Sequence, residues 1–126
     1  MGKLLLVGCG KMGGAMLEGW LARGVAASDV IVAEPAEALR PKRAGLTAVG
    51  SSTEVTDTPE IVVLAVKPQS MDAVLPDLKR FADKGSVFLS IAAGKPIKYF
   101  AGHLGAGVAE LPLDAPVEVE LIVEVA

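Results

Sequence analysis

The sequence predicts an α/β fold of the doubly wound kind, with a parallel sheet covered by helices on both faces. Three observations carry that expectation. Apolar runs of four to six residues recur at Leu4–Val7, Val30–Ala33 and Ile61–Val66, with a mostly apolar segment at Ser86–Ile91, and segments of helical period lie between several of them. Such unbroken runs suit strands buried on both faces. The first run leads directly into a glycine-rich turn and then an amphipathic helix. Finally, 52% of the 126 residues are hydrophobic and mean hydropathy is +0.50, which a sheet wrapped on both sides requires.

The first unit is Lys3 to Gly24. Leu4 to Val7 reads as a strand, Gly8-Cys9-Gly10-Lys11-Met12-Gly13 as the turn, and the residues after it as a helix. A GxGxxG between a buried strand and a helix is the dinucleotide-binding pattern of a Rossmann-type fold. Gly8 permits the tight turn, Gly10 lets a pyrophosphate reach the backbone, and Gly13 lets helix and strand pack closely. The helix N-terminus then offers N–H groups and positive potential to the phosphates. Met12, Ala15, Met16, Gly19 and Trp20 are spaced as one apolar stripe, read as core packing, with Glu18 and Gly14 falling away from it. Arg23 suits the last turn and Gly24 the residue after it.

Asp29 to Ala33 is the second strand, with Glu34 at its end, 24 residues beyond Gly10. That is near the spacing at which an acidic residue takes the adenosine ribose hydroxyl and disfavours a 2′-phosphate. Arg40, Lys42 and Arg43 follow closely and would attract that phosphate, so NADH and NADPH both stay open. Ala36 to Ala44 reads as a short helix despite Pro41, and Leu46 to Val49 as the third strand. Ser51-Ser52-Thr53-Glu54 is a cap and brief helix. Ile61 to Val66 is the fourth strand and ends at Lys67-Pro68, where sheets of this kind place ligand-contacting loops. Gln69 to Asp83 is helical, with Met71, Val74, Leu75, Leu78 and Phe81 inward and a kink expected at Pro76. Ser86 to Ile91 is the fifth strand, and Pro96 to Leu104 a further helix. The expected strand order is 3-2-1-4-5.

Charge divides the chain. Residues 1–109 hold all twelve Lys and Arg and ten acids, whereas residues 110–126 hold five acids and no base. The expected organisation is therefore a cofactor domain over residues 1–108 and an acidic tail over 109–126. Val117 to Val125 alternates apolar and acidic residues, the pattern of an edge strand with one wet face. No basic face for nucleic acid is present, and no apolar run approaches the roughly 20 residues of a membrane span. One cysteine gives no internal disulfide and fits a reducing cytoplasm. One Cys and one His (His103) make no case for zinc or any other metal. Cys9 reads as a small residue filling a tight turn, and His103 as an exposed or capping residue.

Three segments together resemble a known family. GCGKMGGAMLEGWLARG at the start, AVKPQSMDAVL after the fourth strand and SIAAGKPI after the fifth are similar to the N-terminal domain of pyrroline-5-carboxylate reductase. That enzyme reduces a cyclic imine to proline with NADPH or NADH. The resemblance covers about residues 1–108. It implies that Gly8, Cys9, Gly10, Lys11, Met12 and Gly13 hold the pyrophosphate. Glu34 would sit at the ribose and Ser52 near the adenosine half. Ala65, Val66, Lys67 and Pro68 would line the nicotinamide side, with Ala92 and Ala93 beside them. No residue is assigned as catalytic. Lys67 has the chemistry of an acid catalyst but is read as positioning cofactor groups.

The departures are equally specific. Gly107-Val108-Ala109-Glu110-Leu111-Pro112 stands where the family has an Arg–Met–Pro–Asn–Thr–Pro type motif. The helical domain that supplies the family's dimerisation and imine pocket does not follow. The chain is therefore expected to be either a truncated or altered reductase with a foreign tail, or a stand-alone cofactor domain. In either case it is expected to be inactive by itself. A β-hydroxyacid or prephenate-type dehydrogenase and a non-catalytic nucleotide module are the competing readings. Expected partners are the dinucleotide, a small cyclic imine only once a C-terminal domain is present, and optionally a second copy of the chain.

Overall fold

The computed structural model describes residues 3–90 and 108–110. Among them six strands form one sheet in the order β3-β2-β1-β4-β5-β6. These are β1 (Leu4–Val7), β2 (Val30–Ala33), β3 (Thr47–Val49), β4 (Ile61–Leu64), β5 (Val87–Ser90) and β6 (Val108–Glu110). All five pairings are parallel. The helices are α1 (Lys11–Ala22) and α2 (Met71–Asp83). The 3-2-1-4-5 order stands as expected, and β6 extends it beyond β5. The alternating segment 117–125, the helix expected over 96–104 and His103 lie outside the described residues.

Alternation along each strand divides the core into two layers. Leu4 and Leu6 of β1 join Val30, Val32, Ile61 and Val63 on one face, under Met16, Leu17 and Trp20 of α1. Leu5 and Val7 join Ile31, Ala33, Val62, Leu64 and Phe88 on the other, under Met71, Leu75, Leu78 and Phe81 of α2. Every residue of β1, β2 and β4 is buried, which explains why these strands show no polar alternation. Both helices stop in the same manner. Gly24 (φ 100°) and Gly85 (φ 93°) lie in the left-handed region. The N–H of Val25 donates to the Trp20 carbonyl at 3.0 Å and that of Ser86 to the Phe81 carbonyl at 3.0 Å. These are Schellman closures that satisfy the last carbonyls before the chain turns back into a strand.

Three expectations need correction. The inner stripe of α1 is Gly13, Met16, Leu17 and Trp20, while Met12 is 53% exposed and Ala15 is also exposed. Close approach of Gly13 to β1 sets the rotation of the helix, and the stripe follows from it by steps of three and four. Ala36 to Ala44 is not a helix. Only a single 3₁₀ turn forms, Glu37–Leu39, and Arg40 leaves it at φ −72°, ψ 125°. Pro41 disfavours the helical region for its predecessor, and Arg40 instead folds back on the end of β2. The third correction concerns strand ends. β4 stops at Leu64, two residues early, because Ala65 and Val66 already belong to the turn above the sheet. α2 runs on through the exposed Pro76 without interruption.

Candidate functional site: a cleft at the switch point of the sheet

β1 lies between β2 and β4, so the connections leave its two sides in opposite directions. A crevice opens at such a point beyond the carboxyl ends of the strands. The register brings those ends level, since Val7 pairs with both Ala33 and Leu64. One residue further, backbone hydrogen bonds fix three turns side by side. The N–H of Gly8 donates to Ala33 (2.8 Å), that of Ala65 to Val7 (2.8 Å) and that of Glu34 to Val49 (2.9 Å). The cleft above them has a volume of about 410 Å³. Its floor is Val7, Gly8, Gly10 and Ala33, and its β2 side is Glu34, Pro35 and Leu39. Gly50, Ser51 and Ser52 close the β3 end, Ala65, Val66 and Lys67 the β4 end, and Ser70, Val74 and Asp77 supply a wall.

The three glycines of the turn differ physically. Gly8 has φ 94°, and a Cβ there would lie 2.9 Å from the Ala65 carbonyl oxygen. A Cβ on Gly13 would lie 2.5 Å from the Gly8 carbonyl oxygen. Both positions therefore exclude any side chain for reasons internal to the fold. Among the described residues, a Cβ on Gly10 would meet nothing within 4 Å. The fold itself does not need glycine at this position, which faces the cleft as the N-cap of α1.

Glu34 is 7% exposed. Its Oε1 accepts the Cys9 N–H at 2.7 Å and its Oε2 the Ala36 N–H at 2.8 Å. Arg40 clasps the same corner, donating from Nε to the Glu34 carbonyl (2.7 Å) and from Nη2 to that of Pro35 (3.1 Å). Burial pushes the Cys9 thiol above its ordinary pKa, and the negative charges of Glu34 and Glu18 push it the same way. Cys9 is thus a protonated filler beneath the turn, without the character of a nucleophile. The β3 end is built by a capping box in which Ser51 and Glu54 exchange hydrogen bonds with each other's backbone. Arg80 of α2 holds this corner from behind, donating to the Ser52 carbonyl at 2.8 Å and to that of Val55 at 2.9 Å.

Of the expected site residues, the cleft gathers Gly8, Gly10, Glu34, Ser52, Ala65, Val66 and Lys67. Lys11 and Met12 are exposed on the first turn of α1, while Cys9 and Gly13 are packed behind it. Pro68 starts the 3₁₀ turn that leads into α2. Ala92 and Ala93 lie outside the described residues. Sequence reasoning missed Pro35, Leu39, Gly50, Ser51 and the stripe Ser70–Val74–Asp77. That stripe was legible, because steps of four and three put all three residues on one helical face beside the inward one.

Comparison with known proteins agrees with this geometry. The chain is 33% identical over 106 residues to a pyrroline-5-carboxylate reductase of Pseudomonas aeruginosa, covering 82% of this chain and 39% of that protein. It is 36% identical over 107 residues to the Escherichia coli pyrroline-5-carboxylate reductase, covering 82% and 40%. The chain therefore spans about 40% of the length of these relatives. Among solved structures it superposes on Plasmodium falciparum pyrroline carboxylate reductase with NADP bound, at TM-score 0.72 and 24% identity, covering 86% of this chain and 40% of that one. Aquifex aeolicus prephenate dehydrogenase matches at TM-score 0.75 and 17% identity, covering 87% and 41%, so the fold alone does not separate the two activities. Residues 3–94 match the model of one protein family, and the chain belongs to that family, NADP oxidoreductase coenzyme F420-dependent.

Proposed function

We propose that this chain is the NAD(P)H-binding half of a pyrroline-5-carboxylate reductase-type enzyme working in the cytoplasm. The observation that carries the proposal is the contrast among the three glycines. Gly8 and Gly13 are enforced by the fold, whereas Gly10 is not, and it borders the cleft. A ligand pressed against the backbone is a reason for glycine at such a place. The relatives' identity narrows the ligand to NADP(H) or NAD(H) and the reaction to reduction of 1-pyrroline-5-carboxylate to L-proline. When bound, the reduced nicotinamide supplies a hydride to the imine carbon, and the protonated ring nitrogen becomes the amine.

The chain's own residues bind and orient. The Gly8–Gly13 turn and the start of α1 receive the pyrophosphate. Ser52 stands at the adenosine end and Ala65, Val66, Lys67 and Pro68 at the nicotinamide end. Placing an imine against that end requires a second wall, which the resemblance assigns to the larger remainder of the reductases. Positioning of this kind is worth on the order of 7–11 kcal/mol in favourable cases. The chain alone is therefore expected to bind cofactor and not to turn over.

The test has two arms. NADH and NADPH are titrated onto the chain and onto Gly10→Val, whose side chain would occupy the approach to the loop. Equal affinity in both proteins would show that the loop has no binding role. NADPH oxidation with pyrroline-5-carboxylate is then followed for the chain alone and with a reductase C-terminal domain added in trans. Robust turnover by the chain alone would overturn the two-part reading.

A further inference from the structure

Glu34 stands where an acidic residue would bind the adenosine ribose, but its carboxylate is already engaged. Each oxygen accepts one backbone N–H, from Cys9 within the glycine turn and from Ala36 after β2. Both distances are in the short range of charge-assisted hydrogen bonds. Although Glu34 lines the cleft, it is only 7% exposed, so its remaining lone pairs present little surface there. We propose that Glu34 is a positioning residue that fixes the pyrophosphate-binding turn, and that it does not discriminate between NADH and NADPH.

The argument follows from topology. Cys9 lies between Gly8, held at φ 94° with its N–H bonded to the Ala33 carbonyl, and Gly10, which caps α1. No described residue crowds Gly10, so the conformation of Cys9 decides where the Gly10 backbone and the first N–H groups of α1 point. The Cys9 N–H faces away from the phosphate site toward β2, and a buried donor there needs an acceptor. Glu34 provides it across 25 positions of sequence. It also ties the turn to the β2 end, which Arg40 braces from the other side through the Glu34 and Pro35 carbonyls. A neutral amide cannot replace the carboxylate. Gln has one acceptor and one donor group at its tip, so one of the two N–H groups would face another donor. The turn would loosen and the phosphates of either cofactor would lose aligned donors.

This inference rests on the dinucleotide reading above, and the experiment separates the two. NADH and NADPH affinities are measured for the full chain, Glu34→Gln and Glu34→Ala, together with amide proton shifts of Cys9 and Ala36 by NMR. The expected result is a loss of roughly tenfold or more for both cofactors, the scale of a lost charge-assisted hydrogen bond, with their ratio unchanged. The Cys9 and Ala36 amide protons should lie downfield in the wild-type chain, stay there at saturating NADH, and move upfield in Glu34→Gln. A selective loss of NADH, or a wild-type Cys9 amide that moves upfield on NADH binding, would show that the carboxylate serves the ribose and overturn the proposal. Unchanged affinity in folded variants would also overturn it, reducing Glu34 to a contributor to stability. If wild type binds neither cofactor, the dinucleotide reading fails, while the amide shifts still report whether Glu34 holds the turn. Should both variants fail to fold, the wild-type shifts with and without NADH decide the matter.

Discussion

Neighbouring glycines in α1 have opposite reasons to exist. A methyl on Gly13 would press on the Gly8 carbonyl, a backbone atom that cannot step aside, whereas one on Gly14 would enter open space. Gly13→Ala should therefore destabilise the chain by about 1–3 kcal/mol, the usual cost of overpacking. Gly14→Ala should stabilise it by about 0.4–1 kcal/mol through the entropy of the unfolded chain. Urea denaturation of the two variants checks both signs, and equal effects would mean that α1 does not approach β1 as described. Cys9 gives a pH dependence. Its folded thiol is held above the ordinary range, first by burial and then by Glu34 and Glu18. Below the ordinary thiol pKa the group is protonated in both states and its contribution is fully present. As pH rises past that value, the unfolded chain ionises while the folded one resists, so stability falls until the folded pKa is passed. Cys9→Ala should remove this part of the alkaline decline, measured as denaturation midpoints across a pH series. An identical decline in the variant would place its origin elsewhere.

At the scale of elements, the β3 corner depends on a helix remote in sequence. Arg80 donates to two carbonyls, of Ser52 and Val55, and stacks on Phe81 with its guanidinium carbon 4.1 Å from the ring centroid. It thereby joins α2 to the turn that bears Ser52 at the cleft. Arg80→Met keeps the aliphatic stem but leaves both carbonyls without this donor, and should cost about 1–3 kcal/mol. Cofactor affinity in the folded variant should fall as well, because the wall of the cleft loses its brace. A thermal melt and an NADPH titration read the two effects. No change in either would make Arg80 a surface decoration. The sequence shows a capping box at Ser51–Glu54 but gives no sign of this partner, since an arginine on a helix reads by default as solvated.

For the whole molecule, binding should appear as stability. A ligand that binds only the folded chain adds about 2.7 kcal/mol at a hundred times its dissociation constant. NADPH in that excess should raise the melting temperature by roughly 10 °C for a domain of this size. Gly10→Val should melt near the wild-type temperature without cofactor and gain nothing from it. A variant already unstable without cofactor would show that Gly10 serves the fold after all. The separation matters because Gly8 and Gly13 cannot be tested this way, their roles in folding and binding being inseparable.

The amino-acid sequence by itself determined five strands of the sheet, their order and their burial, because apolar runs joined by helical periods admit few other packings, whereas β6 at Val108–Glu110 was not among them. It also placed the cleft to within two residues, since the glycine turn, Glu34 and the Lys67-Pro68 segment each follow a strand read from the same pattern, although β4 stops already at Leu64. Tertiary structure decided what local periodicity cannot express. The rotation of α1 came from one contact, Gly13 against Gly8, and that moved Met12 out of the core. The segment 36–44 lost its helix to Pro41 and to the bonds of Arg40 with strand ends. Above all, the fold brings the Cys9 N–H onto the Glu34 carboxylate across 25 positions. Spacing can put an acid at the end of a strand, but only packed neighbours determine which donors reach its oxygens first.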